Sequence, residues 1–387
     1  MNRPSDDAAP PDAARLFAER FGREPDGVWF APGRVNLLGG PDYNEVFVLP
    51  FALGAGVFAA ASRRSDRRIA LTSRQAGGEP VLLDIDALEP GSAPGWAAYP
   101  AGVAWALGQA GYLAGGADVA IDADLPAGAG LSSSAALECS VALALTELYG
   151  VPVPRRELAA LARRAENDFA GAPTGIMDQM AALLGRAGHA LLLDCRTGTE
   201  TAVPLDPAAA GLTLLVIDTR VRHVVADGQY GNRRQACEQA ASMLGVRSLR
   251  DVTGDPAALA RLTEPGLRRV AGHVIAENGR VLRAAGLLRA GETAAIAELL
   301  TASHRSLRDE FRMSWPQADA AVEAAVGVGA AGARMTGGGF GGSVVALVPA
   351  GRAPQVRAAV TRSFARRHWP APRYLDVVPS DGARRIG

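Results

Sequence analysis

Residues 125–138 read LPAGAGLSSSAALE: a glycine-bearing turn, three serines in a row and the first turns of an alanine-rich helix. Glycines at 128 and 130 let backbone N–H groups approach an anion with no Cβ in the way. A helix starting near Ser132 would aim its positive end at the same place. Ser134 then offers a hydroxyl to a phosphate oxygen or to Mg²⁺. The helix is marked by Leu137, Val141, Leu145 and Leu148 on one face, and by Gly150 and Pro152 beyond its end. The local pattern leaves two readings open, a phosphate cradle or an ordinary loop-to-helix entry with a serine cap.

Composition narrows the classes. The chain has 387 residues, enough for two domains with their own cores, and its 48% hydrophobic and 21% charged residues are those of a globular protein. Forty basic and forty acidic residues cancel, which gives no pointer to nucleic acid or a membrane surface. Every basic residue is arginine, because the sequence contains no lysine. That excludes a Walker A loop, the strand lysine of protein kinases and any Schiff-base chemistry. A nucleotide phosphate must therefore be met by backbone amides, hydroxyls, arginine or metal.

Cys139, Cys195 and Cys237 are far apart and read as reduced thiols of a cytoplasmic protein. Residues 1–14 read as a disordered lead-in without a signal-peptide core, although the apolar pattern predicts a short amphipathic helix over Ala13–Phe21. Val46–Ala61 is an uncharged run, but it is broken by Pro50, Gly54 and Gly56 and falls short of the roughly 18–20 residues of a membrane span, which predicts strand, turn, strand. From Val28 to Phe51 two strand-like runs flank a turn-rich centre carrying Arg34, Asn36, Asp42, Tyr43 and Asn44. Further strands are expected at Ile69–Ser73, Asp118–Asp122, Ala190–Asp194 and Leu212–Asp218, with a domain boundary in the Pro/Ala-rich 204–210. Helices are expected at 101–109 and 158–169, a third opening at Asp178, and three or four more over 233–327. Residues 337–342 satisfy GxGxxG, but a strand follows them, which argues against a dinucleotide fingerprint.

The 125–138 string resembles the phosphate-loop signature of the GHMP small-molecule kinases. Residues 32–50, PGRVNLLGGPDYNEVFVLP, resemble the sugar-loop signature of one branch of that family, the galactokinases. Arg34, Asp42, Tyr43, Asn44, Phe47, Val48, Leu49 and Pro50 match it. Where the family carries Glu-His-Thr, this chain has Gly40 and Pro41 and is one residue shorter. In galactokinases that Glu and His help to hold sugar hydroxyls, especially toward C6, and neither role transfers to glycine or proline. A hydrogen bond from a charged group is worth about 1.5–3 kcal/mol, so each lost contact implies a roughly ten- to hundredfold effect. TGIMDQ, residues 174–179, is similar to the motif around the family's catalytic Asp and assigns that role to Asp178; spacing from it assigns the metal-binding Glu to Glu166. In TRVRHVVADGQYGNRRQACE, residues 219–238, Tyr230 falls where a sugar-contacting Tyr stands, and His223 is read as structural. Ser73, Trp96 and Tyr99 fall where galactokinases meet the nucleotide, though packing accounts for the two aromatics equally well. Trp315 replaces a usual Cys.

The resemblance implies an α/β (α+β) two-domain GHMP kinase fold. An N-terminal ribosomal-protein-S5-domain-2-like domain would span 15–205 and a C-terminal ferredoxin-like α+β domain 206–387, with the active site between them and the 337–342 turn close to the nucleotide. It implies sugar contacts from Asp42, Gly175, Asp178 and Tyr230, beside the altered Gly40 and Pro41. ATP is assigned to Ser73, Gly128, Ala129, Gly130, Leu131, Ser132, Ser133 and Ser134, and Mg²⁺ to Ser134 and Glu166. Asp178 and Arg34 are the implied catalytic pair. An adjacent arginine cation favours the ionised carboxylate and weakens it as a base, so Asp178 is expected to act mainly by orientation and field. The expected activity is phosphorylation of the C1 hydroxyl of D-galactose by a cytoplasmic monomer with no nucleic-acid or membrane partner. The alternatives are a kinase for a C6-altered sugar such as L-arabinose, D-fucose or galacturonate, or a sugar and ATP sensor without activity.

Overall fold

The computed structural model describes residues 12–126, 128–222, 229–255 and 257–387. Helix α1 (Ala13–Phe21) starts where its pattern predicts, with the Asp12 carboxylate accepting from the Arg15 N–H and Gly22 closing it at positive φ. Asp12, Ala13 and Ala14 therefore do not belong to a disordered lead-in, and residues 1–11 lie outside the described residues.

The first sheet contains β1 (Gly27–Gly39), β2 (Phe47–Arg63), β3 (Arg68–Ser73), β4 (Val81–Asp84), β5 (Ala117–Ala123), β6 (His189–Asp194) and β7 (Thr199–Pro204). The pairing runs β1, β2, β5, β3, β4, with β6 and β7 attached to the start of β2; all contacts are antiparallel except β3 with β5. α3 (Ser133–Leu148) and α5 (Met177–Leu184) pack on it, and α2 (Ala98–Gln109) and α4 (Arg155–Arg164) pack in turn on those helices and on each other. Glycine lets two of these helical elements approach closely: a Cβ on Gly102 of α2 would sit 3.0 Å from the Ala165 carbonyl oxygen at the end of α4.

Two expectations fail here for one reason. Residues 46–61 are not strand, turn, strand but most of a single 17-residue strand, and Arg34 and Asn36 lie in strand β1 rather than in a turn. A bulge takes up the irregularity: Pro32 pairs with Gly56 and Arg34 with Ala52. A Cβ at Gly56 would lie 2.1 Å from the Ala31 carbonyl oxygen, so the glycine serves close backbone approach and not a turn. Pro50 is tolerated because β5 pairs only with residues 57–63 and β6 only with 47–48, so Pro50 has β1 alone beside it.

The second sheet is antiparallel, in the order β11 (Arg373–Val377), β8 (Leu212–Val221), β10 (Gly342–Pro349), β9 (Gly332–Thr336). Between β8 and β9 come α6 (Gln229–Leu244), the four-residue α7 (Ala258–Arg261), α8 (Pro265–Arg289), α9 (Ile296–Asp309) and α10 (Pro316–Gly327); α11 (Ala353–Arg366) precedes β11. The expected boundary, between residues 205 and 206, falls between the last strand of one sheet and the first of the other. The second stretch is nevertheless not self-contained, because β12 (Arg384–Arg385) returns to pair with Trp29 and Phe30 on β1. Trp315 caps α10 and donates its indole N–H to Thr219 Oγ1 at 3.1 Å, filling a buried place between β8 and that helix.

Candidate active site

Arg34 projects from the middle of β1, almost fully buried, and Asp178 is the second residue of α5. Their contact is bidentate: Nε to Oδ1 at 2.7 Å and Nη2 to Oδ2 at 2.9 Å. Arg34 Nη1 also donates to the Gly130 carbonyl oxygen at 2.7 Å, and the Ser132 hydroxyl donates to Asp178 Oδ2. One arginine thus ties the strand, the glycine loop and the Asp178 helix together. The loop is held again where the Arg34 N–H meets the Leu131 carbonyl at 3.1 Å, and Gly33 has no room for a side chain beneath it. Ser132 sits at φ 59°, a left-handed conformation that turns the chain from the loop into α3. Gly128 and Gly130 have φ of 74° and 71°, the positions where glycine is favoured.

Asp178 does not cap its own helix. The cap comes from the sugar-loop segment: Asp42 Oδ2 accepts the Met177 N–H at 3.0 Å. Gly175 makes this possible, since a Cβ there would lie 1.9 Å from the Asp42 carboxyl carbon. Burial pushes the Asp42 carboxyl up, the Met177 N–H opposes it, and the Asp178 charge adds to the rise. Asp42, Gly175 and Asp178 are therefore one packed unit. Pro41 starts the short helical turn that carries Asp42, its carbonyl accepting the Asn44 N–H at 3.2 Å, and Gly40 is buried beside His273.

Glu166 stands on a π turn, Ala165–Phe169, that widens the end of α4, where an uninterrupted helix was expected. Its Oε2 accepts from Thr174 Oγ1 at 2.7 Å and Gln179 Nε2 at 2.8 Å. Burial raises the Glu166 carboxyl, with Thr174, Ser134 and Gln179 hydrogen bonds opposing it. Ser134 and Glu166, paired in the sequence reading, do meet. Gln179 also donates to Glu138 Oε2 at 3.2 Å, and burial holds the Glu138 carboxyl well above its usual range. Among the described residues no three His, Cys, Asp or Glu side chains gather as a metal cage. The donors at Ser134 and Glu166 are oxygens, and the second oxygen of Glu138 has no partner among the described residues. Such a set fits Mg²⁺, which takes one or two protein oxygens and completes its shell with phosphates and water.

The other expected residues divide. Ala129 is bonded to the second sheet, its carbonyl accepting the Ser343 hydroxyl at 2.8 Å; a Cβ on Gly130 would lie 3.5 Å from Gly342 Cα. The 337–342 turn thus meets the loop itself. Ser133 begins α3 and is exposed. Ser73 ends β3, where its hydroxyl accepts the Ala76 N–H at 3.4 Å and serves the following turn. Tyr99 is in the first turn of α2 with its hydroxyl pushed up by burial and by the nearby Glu166 and Glu138, while Trp96 packs half-buried against the core. Tyr230 lies in α6 with its side chain outside the described residues, as His223 is entirely. Arg222 lies beside the loop, its Cγ 3.5 Å from where a Cβ on Gly128 would stand, a place that an arginine past the end of a strand does not announce in the sequence.

Three family models match the chain: the galactokinase galactose-binding signature over residues 15–63, the GHMP kinase N-terminal domain over 98–186 and the GHMP kinase C-terminal domain over 284–366. The galactokinase of Streptomyces coelicolor is 50% identical over 374 residues, covering 96% of this chain and 97% of that protein. The chain belongs to the galactokinase family. The Mycobacterium tuberculosis family member is 44% identical over 341 residues, covering 86% of this chain and 93% of its own. The crystal structure of Lactococcus lactis galactokinase complexed with galactose superposes with a TM-score of 0.91 at 30% identity, covering 96% of this chain and 98% of that one. A Methanococcus jannaschii mevalonate kinase, at TM-score 0.64 and 15% identity, shares the GHMP fold. As a family member this protein is a sugar kinase using ATP.

Proposed function

We propose that this protein transfers the γ-phosphoryl group of ATP to the anomeric hydroxyl of D-galactose, giving galactose 1-phosphate and ADP. The observation that carries the reading is the Arg34–Asp178 pair bound to the glycine loop through Gly130 and Ser132. A carboxylate offers about four lone-pair directions, and Arg34 and Ser132 occupy three on Asp178. The one left accepts the sugar's C1 hydroxyl and points its oxygen at the phosphoryl group. Asp178 orients this nucleophile and receives its proton as the bond to phosphorus forms. Arg34 lies beside the same point and stabilises charge on the transferring group.

Gly128–Ser134 binds the phosphates through loop amides and the N-terminus of α3, with Arg222 alongside in a chain that has no lysine. Ser134 and Glu166 would hold Mg²⁺, which when bound neutralises charge on the ATP phosphates. Asp42, Gly175 and Tyr230 shape the sugar side. All these residues come from one chain, so a monomer suffices, and we place it in the cytoplasm: its cysteines are free, and no helix of the described residues is long and apolar enough to cross a membrane. The test is ADP release from Mg·ATP with galactose, galactosamine, D-fucose, L-arabinose and galacturonate. Preferred turnover of galactose supports the reading; turnover of a C6-altered sugar alone, or of none, overturns it.

A further inference from the structure

The shortened loop rests on a buried polar group from the second half of the chain. The Gly39 N–H donates to Glu277 Oε1 at 3.1 Å, Ser303 donates to the same oxygen at 2.7 Å, and Arg280 donates to Oε2 at 2.6 Å. Arg334 donates to the carbonyl oxygens of Asn36 and Gly39 at 3.4 and 3.3 Å. One turn before Glu277 on α8 stands His273, fully buried, its ring 4.6 Å from that of Phe311.

Two details of His273 stand out. Its Nδ1 is 2.9 Å from the Ser306 hydroxyl, whose single hydrogen goes to Glu310 Oε2 at 2.6 Å. Ser306 therefore receives the Nδ1 hydrogen, which leaves Nε2 a bare acceptor. That Nε2 has no partner among the described residues. It faces the side-chain direction of Gly40: a Cβ built there would find Nε2 at 3.9 Å and no other atom beyond its chain neighbours within 4 Å. Burial pushes the imidazole down to about 4, against the charge of Glu277 and with that of Arg280 and Arg334, so it is neutral at physiological pH and the acceptor persists. A buried acceptor facing Gly40, which stands two residues before Asp42, is costly unless a donor meets it.

We propose that His273 is a specificity-determining residue whose Nε2 accepts a hydrogen bond from a sugar hydroxyl lodged beside Gly40, in space that a side chain at position 40 would occupy. The proposal rests on the galactose reading. A hydroxyl donor could equally be a trapped water, and the experiment separates the two.

The variants are Gly40→Ala and His273→Phe. Gly40 is not at positive φ and has no close neighbour, so the alanine methyl fits without strain yet covers Nε2; this variant carries the test should His273→Phe not fold. KM and kcat are measured for galactose and for each of its monodeoxy analogues. We expect KM for galactose to rise about tenfold in both variants, the size of one hydrogen bond, with kcat within about twofold. For one deoxy-sugar, the one lacking the hydroxyl that meets His273, the penalty should vanish. An equal penalty on every sugar would mean a water or a purely structural histidine, and no penalty would mean an idle one; either overturns the proposal. Absence of wild-type turnover on galactose would instead sink the functional reading, and the proposal with it.

Discussion

Asp178 is held by Arg34 through two bonds and by Ser132 through a third, so its substitution tests chemistry more than packing. Asp178→Asn keeps the shape but loses the charge and an acceptor. We expect kcat to fall at least about a hundredfold, in the range for removal of a positioned acid–base group, with ATP binding unchanged by calorimetry. Turnover near wild type would remove Asp178 from the mechanism. Arg34→Lys keeps the charge but cannot make the fork, and should lower kcat more than it raises KM. Gly175→Ala drives a methyl into the Asp42 carboxyl. It should both destabilise the fold, by about 1–3 kcal/mol in urea denaturation, and impair turnover, because Asp42 caps the helix that presents Asp178. The sequence offered part of this: the resemblance of TGIMDQ singled out Asp178, but nothing local said that its helix is capped from residue 42. That bond spans 135 positions, and no spacing rule reports it.

At the scale of elements, the glycines of β2 resemble a turn when read as a string. Gly56 instead lets a long strand pass close to Ala31 beside the bulge that contains Gly54, and Arg34 follows that bulge on β1. Gly56→Ala should cost about 1–3 kcal/mol of stability, the usual range for overpacking, because the backbone oxygen at 2.1 Å cannot move out of the way as a side chain would. Unchanged urea midpoints would contradict this account of the bulge. The π turn at Glu166 was hidden for a similar reason: residues 155–169 have one continuous helical pattern, and the wider turn is chosen by Thr174 and Gln179 reaching the carboxylate from outside the helix.

On the scale of the whole molecule, arginine ion pairs are among the contacts that join the two halves. Arg250, on the 249–252 turn, forms a bidentate pair with Asp194 at the end of β6, and Arg196 bridges Glu45 to Asp251. The Arg250 guanidinium holds the Asp194 carboxyl down to about 2 from 3.8. Because the folded value is the lower one, this stability is complete above about pH 4 and is lost as pH falls toward 2. Asp194→Asn should therefore lose about 2 kcal/mol at pH 7, an estimate from the shift at about 1.4 kcal/mol per unit, and approach wild type near pH 2. Denaturation curves at both pH values check this; a gap that persists in acid would mean that the loss does not come from the carboxylate's charge.

What the sequence determined by itself was short-range: a glycine and serine loop, its following helix, and the TGIMDQ string that opens the Asp178 helix. Each depends on neighbours within a few positions, so its spacing survives as text. The tertiary structure alone decided how these pieces aim at one another. Arg34 reaches Gly130 and Asp178 across 96 and 144 positions, and the Gly39–Gly40 loop settles on Glu277 and His273 some 230 residues away. Those contacts arise from packing within the first half of the chain and of that half against the second, which brings groups together and leaves no periodicity to read.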